Sequence, residues 1–117
     1  MDNYNKFISD EYEKFYISSE LGDIEQSWIY LQRIHIVSQS ILVDHLKSHL
    51  NMLFYAVKIG DIKEIFGQAL RLILAPIGNL LRRIPAGNRG TSDVSPFLIE
   101  TIPNDLKEFI LDNYNGI

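Results

Sequence analysis

Leu21-Gly22-Asp23-Ile24-Glu25 is the stretch that decides the fold, because it returns as Ile59-Gly60-Asp61-Ile62-Lys63. A glycine after an apolar residue ends a helix readily, and an aspartate directly after it can cap the next helix. Gln26 and Glu64, each three residues beyond its aspartate, complete the pattern of a capping box. The two copies therefore predict the turns of two helix–turn–helix units.

Apolar residues at spacings of three and four predict a helix on each side of both turns. Pro76 is expected to kink the fourth helix or to end it early, because proline lacks the backbone N–H group. The expected helices cover about residues 4–21, 24 to between 38 and 40, 41–58, and 62–81.

We expect one domain over residues 1–117, all-α in class, built from two stacked αα-hairpins that are tetratricopeptide-like. The long segment of turn-forming residues after the fourth helix carries Val94, Phe97, Leu98 and Ile99, which favour its docking on the bundle. The predicted parts are a four-helix hairpin pair (residues 1–83), a covering loop (84–102) and a short C-terminal helix (103–114).

The composition is that of a soluble globular protein, since 46% of the 117 residues are hydrophobic and 22% are charged. The net charge of -4 argues against nucleic-acid binding, because phosphate contacts need a basic surface. The N-terminus lacks a secretory signal, and no apolar stretch is long enough to span a bilayer. We therefore expect a cytoplasmic protein that binds neither nucleic acid nor membrane.

A locally basic region surrounds the expected loop and contains Arg71, Arg82, Arg83 and Arg89. It could hold a small anionic ligand or a protein partner. Arginines near a helix end are explained more simply by the helix macrodipole and by solvation.

All three histidines fall within fifteen residues, at His35, His45 and His49. His45 and His49 share one face of the third helix, and His35 lies just before the preceding turn, so the three imidazoles can converge. Three imidazoles with an open position suit a zinc, copper or nickel ion, and Met52 would add a soft ligand for copper. Gln32 and Gln39, one turn either side of His35, are candidates to fix its tautomer.

Two readings of the histidines stay open at this point. They could instead support packing in a non-catalytic helical-repeat module that binds a protein partner. The sequence contains no nucleophile elbow, phosphate-binding loop or paired-carboxylate signature, so it favours a protein that is not an enzyme.

Several strings spread over nearly the whole chain carry a family resemblance: Leu31-Gln32-Arg33-Ile34-His35, the pair His45 and His49, Gly67-Gln68, Pro85-x-Gly87-Asn88, Val94-Ser95-Pro96 and Ile102-Pro103-x-Asp105-Leu106. They resemble the domain of unknown function 3703 family. The resemblance implies a small helical fold with no established activity, and it matches the family's histidines to those of the cluster and its loop asparagine to Asn88. The chain departs from the family at Gln32, where the family has glutamate, and at Arg89 and Thr91, where its loop has threonine and glycine.

Overall fold

The computed structural model describes residues 2–81, 88–93 and 99–114, and these contain helices and no strand. The first two helices pack as one hairpin and the third and fourth as a second, while the second helix also contacts the third and the fifth. The prediction of an all-α fold with two stacked hairpins is therefore confirmed. The helices are α1 (Asp2–Glu20), α2 (Ile24–Ser38), α3 (Leu42–Ile59), α4 (Ile62–Leu81) and α5 (Asn104–Tyr114).

The repeated Gly-Asp turn closes the first helix of each hairpin in the same way. Gly22 has a φ of +74° and Gly60 a φ of +75°, a left-handed conformation that costs glycine little. In the first copy the amide of Asp23 donates to the carbonyl of Ser18 at 3.0 Å, and the second copy repeats this bond. Two backbone carbonyls at each helix end are thus satisfied by a Schellman motif.

The aspartate of each turn also begins the next helix. Asp23 accepts a hydrogen bond from the amide of Gln26, and Asp61 accepts one from the amide of Glu64, both at 3.1 Å. In a full capping box, the side chain three residues after the aspartate would also accept a hydrogen bond from the aspartate amide. This part of the prediction is wrong for both turns, because each aspartate amide already donates to a carbonyl of the preceding helix. The carboxylate of Glu64 is therefore available for contacts elsewhere.

Helix α4 continues through Pro76 to Leu81, so the possibility of an early end at Pro76 is excluded. The loop side chains Val94, Phe97 and Leu98, and the arginines Arg82 and Arg83, lie outside the described residues. Ile99 is described and is 72% exposed, so the expectation that its side chain docks on the bundle is wrong. The division into parts at residues 83 and 102 therefore stays a prediction. None of the described helices is long and apolar enough to cross a membrane.

Two apolar clusters hold the helices together and leave the histidines between them and α4. The first joins α1, α2 and α5, and the second joins α1, α2 and α3. Arg33 on α2 reinforces the first cluster by pairing with Glu11, which is 1% exposed, and with Asp105 on α5 at 2.8 Å. The buried members are Tyr4, Ile36, Val37, Leu106 and Ile110 in the first cluster, and Phe15, Leu31, Met52 and Tyr55 in the second.

Candidate metal centre

The three imidazoles meet at their Nε2 atoms where α2, α3 and loop residues 88–93 come together. The Nε2 atoms of His35 and His45 lie 3.2 Å apart, and each of them lies 3.1 Å from Nε2 of His49. All three residues are buried, with exposed fractions of 3–6%. The convergence expected from the sequence is present, and such a group could hold a metal ion.

The opposite nitrogen of each ring lies against one oxygen of a carbonyl or amide. His35 Nδ1 is 2.7 Å from the backbone oxygen of Asn88, and His45 Nδ1 is 2.8 Å from Asn79 Oδ1. His49 Nδ1 is 2.7 Å from Gln68 Oε1. Oxygens of this kind can only accept a hydrogen bond, so each imidazole carries its proton on Nδ1.

The orientation of the Gln68 amide is determined by its other contacts. Gln68 Nε2 donates to Glu64 Oε2 at 3.0 Å and to the backbone oxygen of Gly90 at 2.8 Å. The carbonyl oxygen of Gly90 can only accept a hydrogen bond, so the amide nitrogen must face it and Oε1 must face His49. Gln68 therefore fixes the tautomer of His49.

Asn79 is oriented by the same kind of contact. Its Nδ2 donates to the backbone oxygen of Gln39 at 2.9 Å, which leaves Oδ1 to accept from His45. The backbone oxygen of Asn88 can only accept a hydrogen bond, so Nδ1 of His35 is the donor. All three rings are thus held with Nδ1 protonated and with the Nε2 lone pair directed at the centre.

Burial keeps the imidazoles neutral at physiological pH. Desolvation lowers the pKa of His35 well below its ordinary value, and the neighbouring His49 and His45 add to this effect. Burial also lowers the pKa of His45, and lowers that of His49 to about 4, although the hydrogen bonds that these rings donate to Asn79 and Gln68 oppose it. Neutral imidazole is the form that binds metal ions.

Loop residues 88–93 cover the His35 ring. Gly90 has a φ of +85°, and a Cβ atom added there would lie 2.6–2.9 Å from three atoms of that ring. Glu64 anchors the loop, because its Oε1 accepts from the amide of Ser92 at 2.7 Å and from the Ser92 hydroxyl at 2.8 Å. Within the loop, the amide of Gly90 donates to Asn88 Oδ1 at 2.9 Å.

The four residues that the sequence suggested as partners of the histidines or of the ion differ in what they contact. Asn88 contacts His35 through its backbone oxygen, and Gln39 supports Asn79 through its backbone oxygen. Gln32 is half-buried and is not among the hydrogen-bond partners of the three rings in the described part of the chain. Met52 packs in the apolar cluster with Phe15, Leu31 and Tyr55.

Sequence reasoning missed Gln68 and Asn79 as partners of the histidines. They are the only side-chain amides on α4, and they are eleven residues apart. Eleven residues make just over three helical turns, so both amides share one face of the helix. Two amides on one face of a largely apolar helix are the signal that could have identified them.

The basic region proposed from the sequence is partly neutralised in the described residues. Arg89 pairs with Glu100 at 3.0 Å and with Asp93 at 3.6 Å. Arg71 is buried, and its guanidinium donates to the backbone oxygen of Gly67 at 3.1 Å. The ion pairs of Arg89 and the burial of Arg71 leave less positive charge accessible to an anionic partner.

A family model described as a protein of unknown function (DUF3703) matches residues 2–110, so the chain belongs to this family. The family resemblance seen in the sequence is thereby confirmed. A search of curated proteins and a search of solved structures each found no match. Because the family description assigns no activity, the function has to be argued from the site.

Proposed function

We propose that this member of the DUF3703 family binds a divalent transition-metal ion, zinc in preference to others, through Nε2 of His35, His45 and His49. The observation that carries the proposal is the fixed tautomer of all three rings. With every Nδ1 proton committed to an oxygen, three lone pairs converge at distances of 3.1–3.2 Å. In the described part of the chain, the three Nε2 atoms have only one another as hydrogen-bond partners.

Three converging lone pairs repel one another unless a cation lies between them. A proton is a poor candidate, because burial lowers the pKa of each ring. A metal ion relieves the repulsion and uses the neutral form that is already present. The hydrogen-bonded oxygens behind the rings are the arrangement typical of metal-binding histidines.

The size of the triangle suits a pyramidal centre. The midpoint of a triangle with the observed sides lies about 1.8 Å from each nitrogen, shorter than a Zn–N bond of about 2.0–2.1 Å. An ion at that bond length would therefore lie roughly 1 Å outside the nitrogen plane, with its fourth tetrahedral position directed away from the three nitrogens.

Copper and nickel fit these ligands less well than zinc. Copper(II) favours a tetragonal arrangement, in which nitrogens lie in one plane with the ion. Octahedral nickel requires three further ligands, and within the described residues no carboxylate belongs to the cluster. Met52, the proposed soft ligand for copper, packs among aromatic and aliphatic side chains.

The test is elemental analysis of the full chain purified without an affinity tag, followed by competition titration with zinc, copper and nickel. We expect one zinc ion per chain, and visible absorption typical of four-coordinate cobalt when cobalt replaces zinc. His35→Ala, His45→Ala and His49→Ala should each abolish stoichiometric uptake. Gln32→Ala is the matched control, because it changes a polar side chain of α2 that is not among the described hydrogen-bond partners of the rings.

The proposal fails if the wild-type chain binds neither zinc nor copper nor nickel at one ion per chain. It also fails if uptake persists in all three histidine variants, since the ion would then be bound elsewhere. Circular dichroism of each variant shows whether the helices are retained. A variant that keeps its helices and loses the ion supports a direct ligand role.

A second candidate function is a protein-interaction module in which the histidines support packing. An open groove of about 660 Å³ between α1 and α3 favours it, with Tyr12, Glu13, Tyr16 and Lys47 in its lining. Tyrosines offer both a ring and a hydroxyl group to a partner. Under this candidate, His49→Ala would destabilise the metal-free chain, and no metal would stabilise the wild-type chain.

A further inference from the structure

Helix α4 exposes a continuous apolar stripe on the side away from the histidines. Its members recur at intervals of four, four, three, four and three residues, which places all of them within one narrow sector of the helix. Each is between 48% and 82% exposed, a large fraction for apolar side chains of this size. The stripe consists of Ile62, Phe66, Leu70, Ile73, Ile77 and Leu80.

The exposed side of α4 is nearly free of charge. The helix contains only Lys63, Glu64 and Arg71 as charged residues, and both Glu64 and Arg71 are buried on the inner side. Lys63 is therefore the one charged residue on the outer side of this helix. A solvated helix face normally carries several charges, so this face is built for burial.

We propose that the α4 stripe is the interface of a homodimer, in which it packs against the same stripe of a second copy of this chain. The area supports this occupant, because the stripe exposes on the order of 700 Å² of apolar side chain, close to the roughly 800 Å² per partner of a stable interface. An uncharged stripe is complementary to itself about a twofold axis. The proposal does not depend on the metal centre.

Lys63 determines the direction of the pairing. Parallel helices would place the two Lys63 ammonium groups close together and align the two helix macrodipoles, and both effects are unfavourable. Antiparallel helices separate the two ammonium groups and bring each towards the C-terminal end of the partner helix. The middle of the stripe, between Leu70 and Ile73, then lies nearest the twofold axis.

The chain contains no cysteine, so single introduced cysteines report the pairing without background. Under mild oxidation we expect Leu70→Cys and Ile73→Cys each to form a disulfide-linked dimer, because each residue lies close to its own counterpart at the axis. Ile62→Cys should not link to itself. Rapid self-linking of Ile62→Cys would overturn the antiparallel arrangement.

Sedimentation velocity of the full chain gives the oligomeric state directly. We expect twice the 13.5 kDa chain mass at micromolar concentration, and the monomer mass for Ile73→Glu. The matched control is Ile17→Glu, which places the same charge at a similarly exposed isoleucine on α1 and should remain dimeric. Circular dichroism shows that both variants keep their helices.

Three outcomes would overturn the proposal. The first is a monomeric wild-type chain, and the second is a dimer that persists in both Ile73→Glu and Phe66→Glu. The third is co-sedimentation of a monomeric chain with anionic lipid vesicles, which would make the stripe a membrane-contacting face. A dimer lost only in the two stripe variants supports the interface.

Discussion

Replacing Gly90 by alanine tests whether loop residues 88–93 hold the three histidines of the proposed metal centre in position. The added Cβ would lie 2.6 Å from Cδ2, 2.7 Å from Cγ and 2.9 Å from Nδ1 of His35. Separations of this size are well inside van der Waals contact, so the loop or the ring has to move. Either movement pulls Asn88 away from His35.

The expected loss has two parts. An alanine held at the φ of +85° costs about 1 kcal/mol of folding free energy. Displacement of the loop also breaks the bond from His35 to Asn88 and the bond from Gln68 to Gly90, at about 1 kcal/mol each. We expect Gly90→Ala to lower the free energy of unfolding by about 3 kcal/mol and the zinc affinity by about 10- to 100-fold.

Gly60→Ala is the control, because Gly60 has a φ of +75° and a Cβ added there meets nothing within 4 Å. It should cost about 1 kcal/mol, from backbone strain alone, and leave zinc affinity unchanged. Urea unfolding of the metal-free chain and competition with a zinc-binding dye measure the two quantities. Equal zinc affinity in Gly90→Ala and the wild-type chain would refute the contact between this loop and His35.

Three further predictions concern the supports of the site and of the fold. Gln68→Ala and Asn79→Ala should each weaken zinc binding by about 10- to 100-fold, since a ring loses the oxygen that fixes its tautomer; competition titration measures this. The metal-free chain should lose stability as the pH falls from 6.5 towards 4, because His49 in the unfolded chain then takes up a proton, whereas folded His49, with a pKa of about 4, does not. The loss from this residue reaches about 3 kcal/mol, and urea unfolding at several pH values measures it. Arg33→Ala should cost about 3 kcal/mol in urea unfolding and leave zinc stoichiometry unchanged, because the buried carboxylate of Glu11 then keeps only Lys14, at 4.0 Å and largely exposed, as a cationic partner.

Each of these has an outcome that would contradict it. Unchanged zinc affinity in both amide variants would mean that the rings do not need their acceptors. Metal-free stability that stays constant between pH 6.5 and 4 would show that the imidazoles are solvated. Loss of zinc in a folded Arg33→Ala chain would mean that this ion pair acts on the centre.

The sequence was sufficient to predict the helices and the convergence of the rings, because both depend on local spacing. The two Gly-Asp turns place the helix ends, and the four-residue interval from His45 to His49 places both rings on one face. The acceptors behind the rings could not be predicted in this way. Asn88 lies 53 residues from His35, and Gln68 lies 19 residues from His49, so their contacts depend on the packing of separate elements.

Helix α4 shows a second limit of periodicity. Its apolar residues occupy most of its circumference, so the pattern indicates burial without showing which side packs against α3. The structure turns the polar minority, Gln68 and Glu64, inward to the histidines and the loop, and leaves residues such as Ile73 outside. Polar side chains inside and apolar side chains outside are the reverse of the usual expectation for a helix.

Every ligand of the proposed centre is a ring nitrogen, and the chain has no cysteine. Zinc sites built from sulfur release their ion when hydrogen peroxide oxidises the thiolate, whereas imidazole does not enter that series of reactions. The nearby sulfur of Met52 belongs to a residue that is 0% exposed, so peroxide has little access to it. A centre of this composition is expected to retain its ion under oxidative stress that empties thiolate sites.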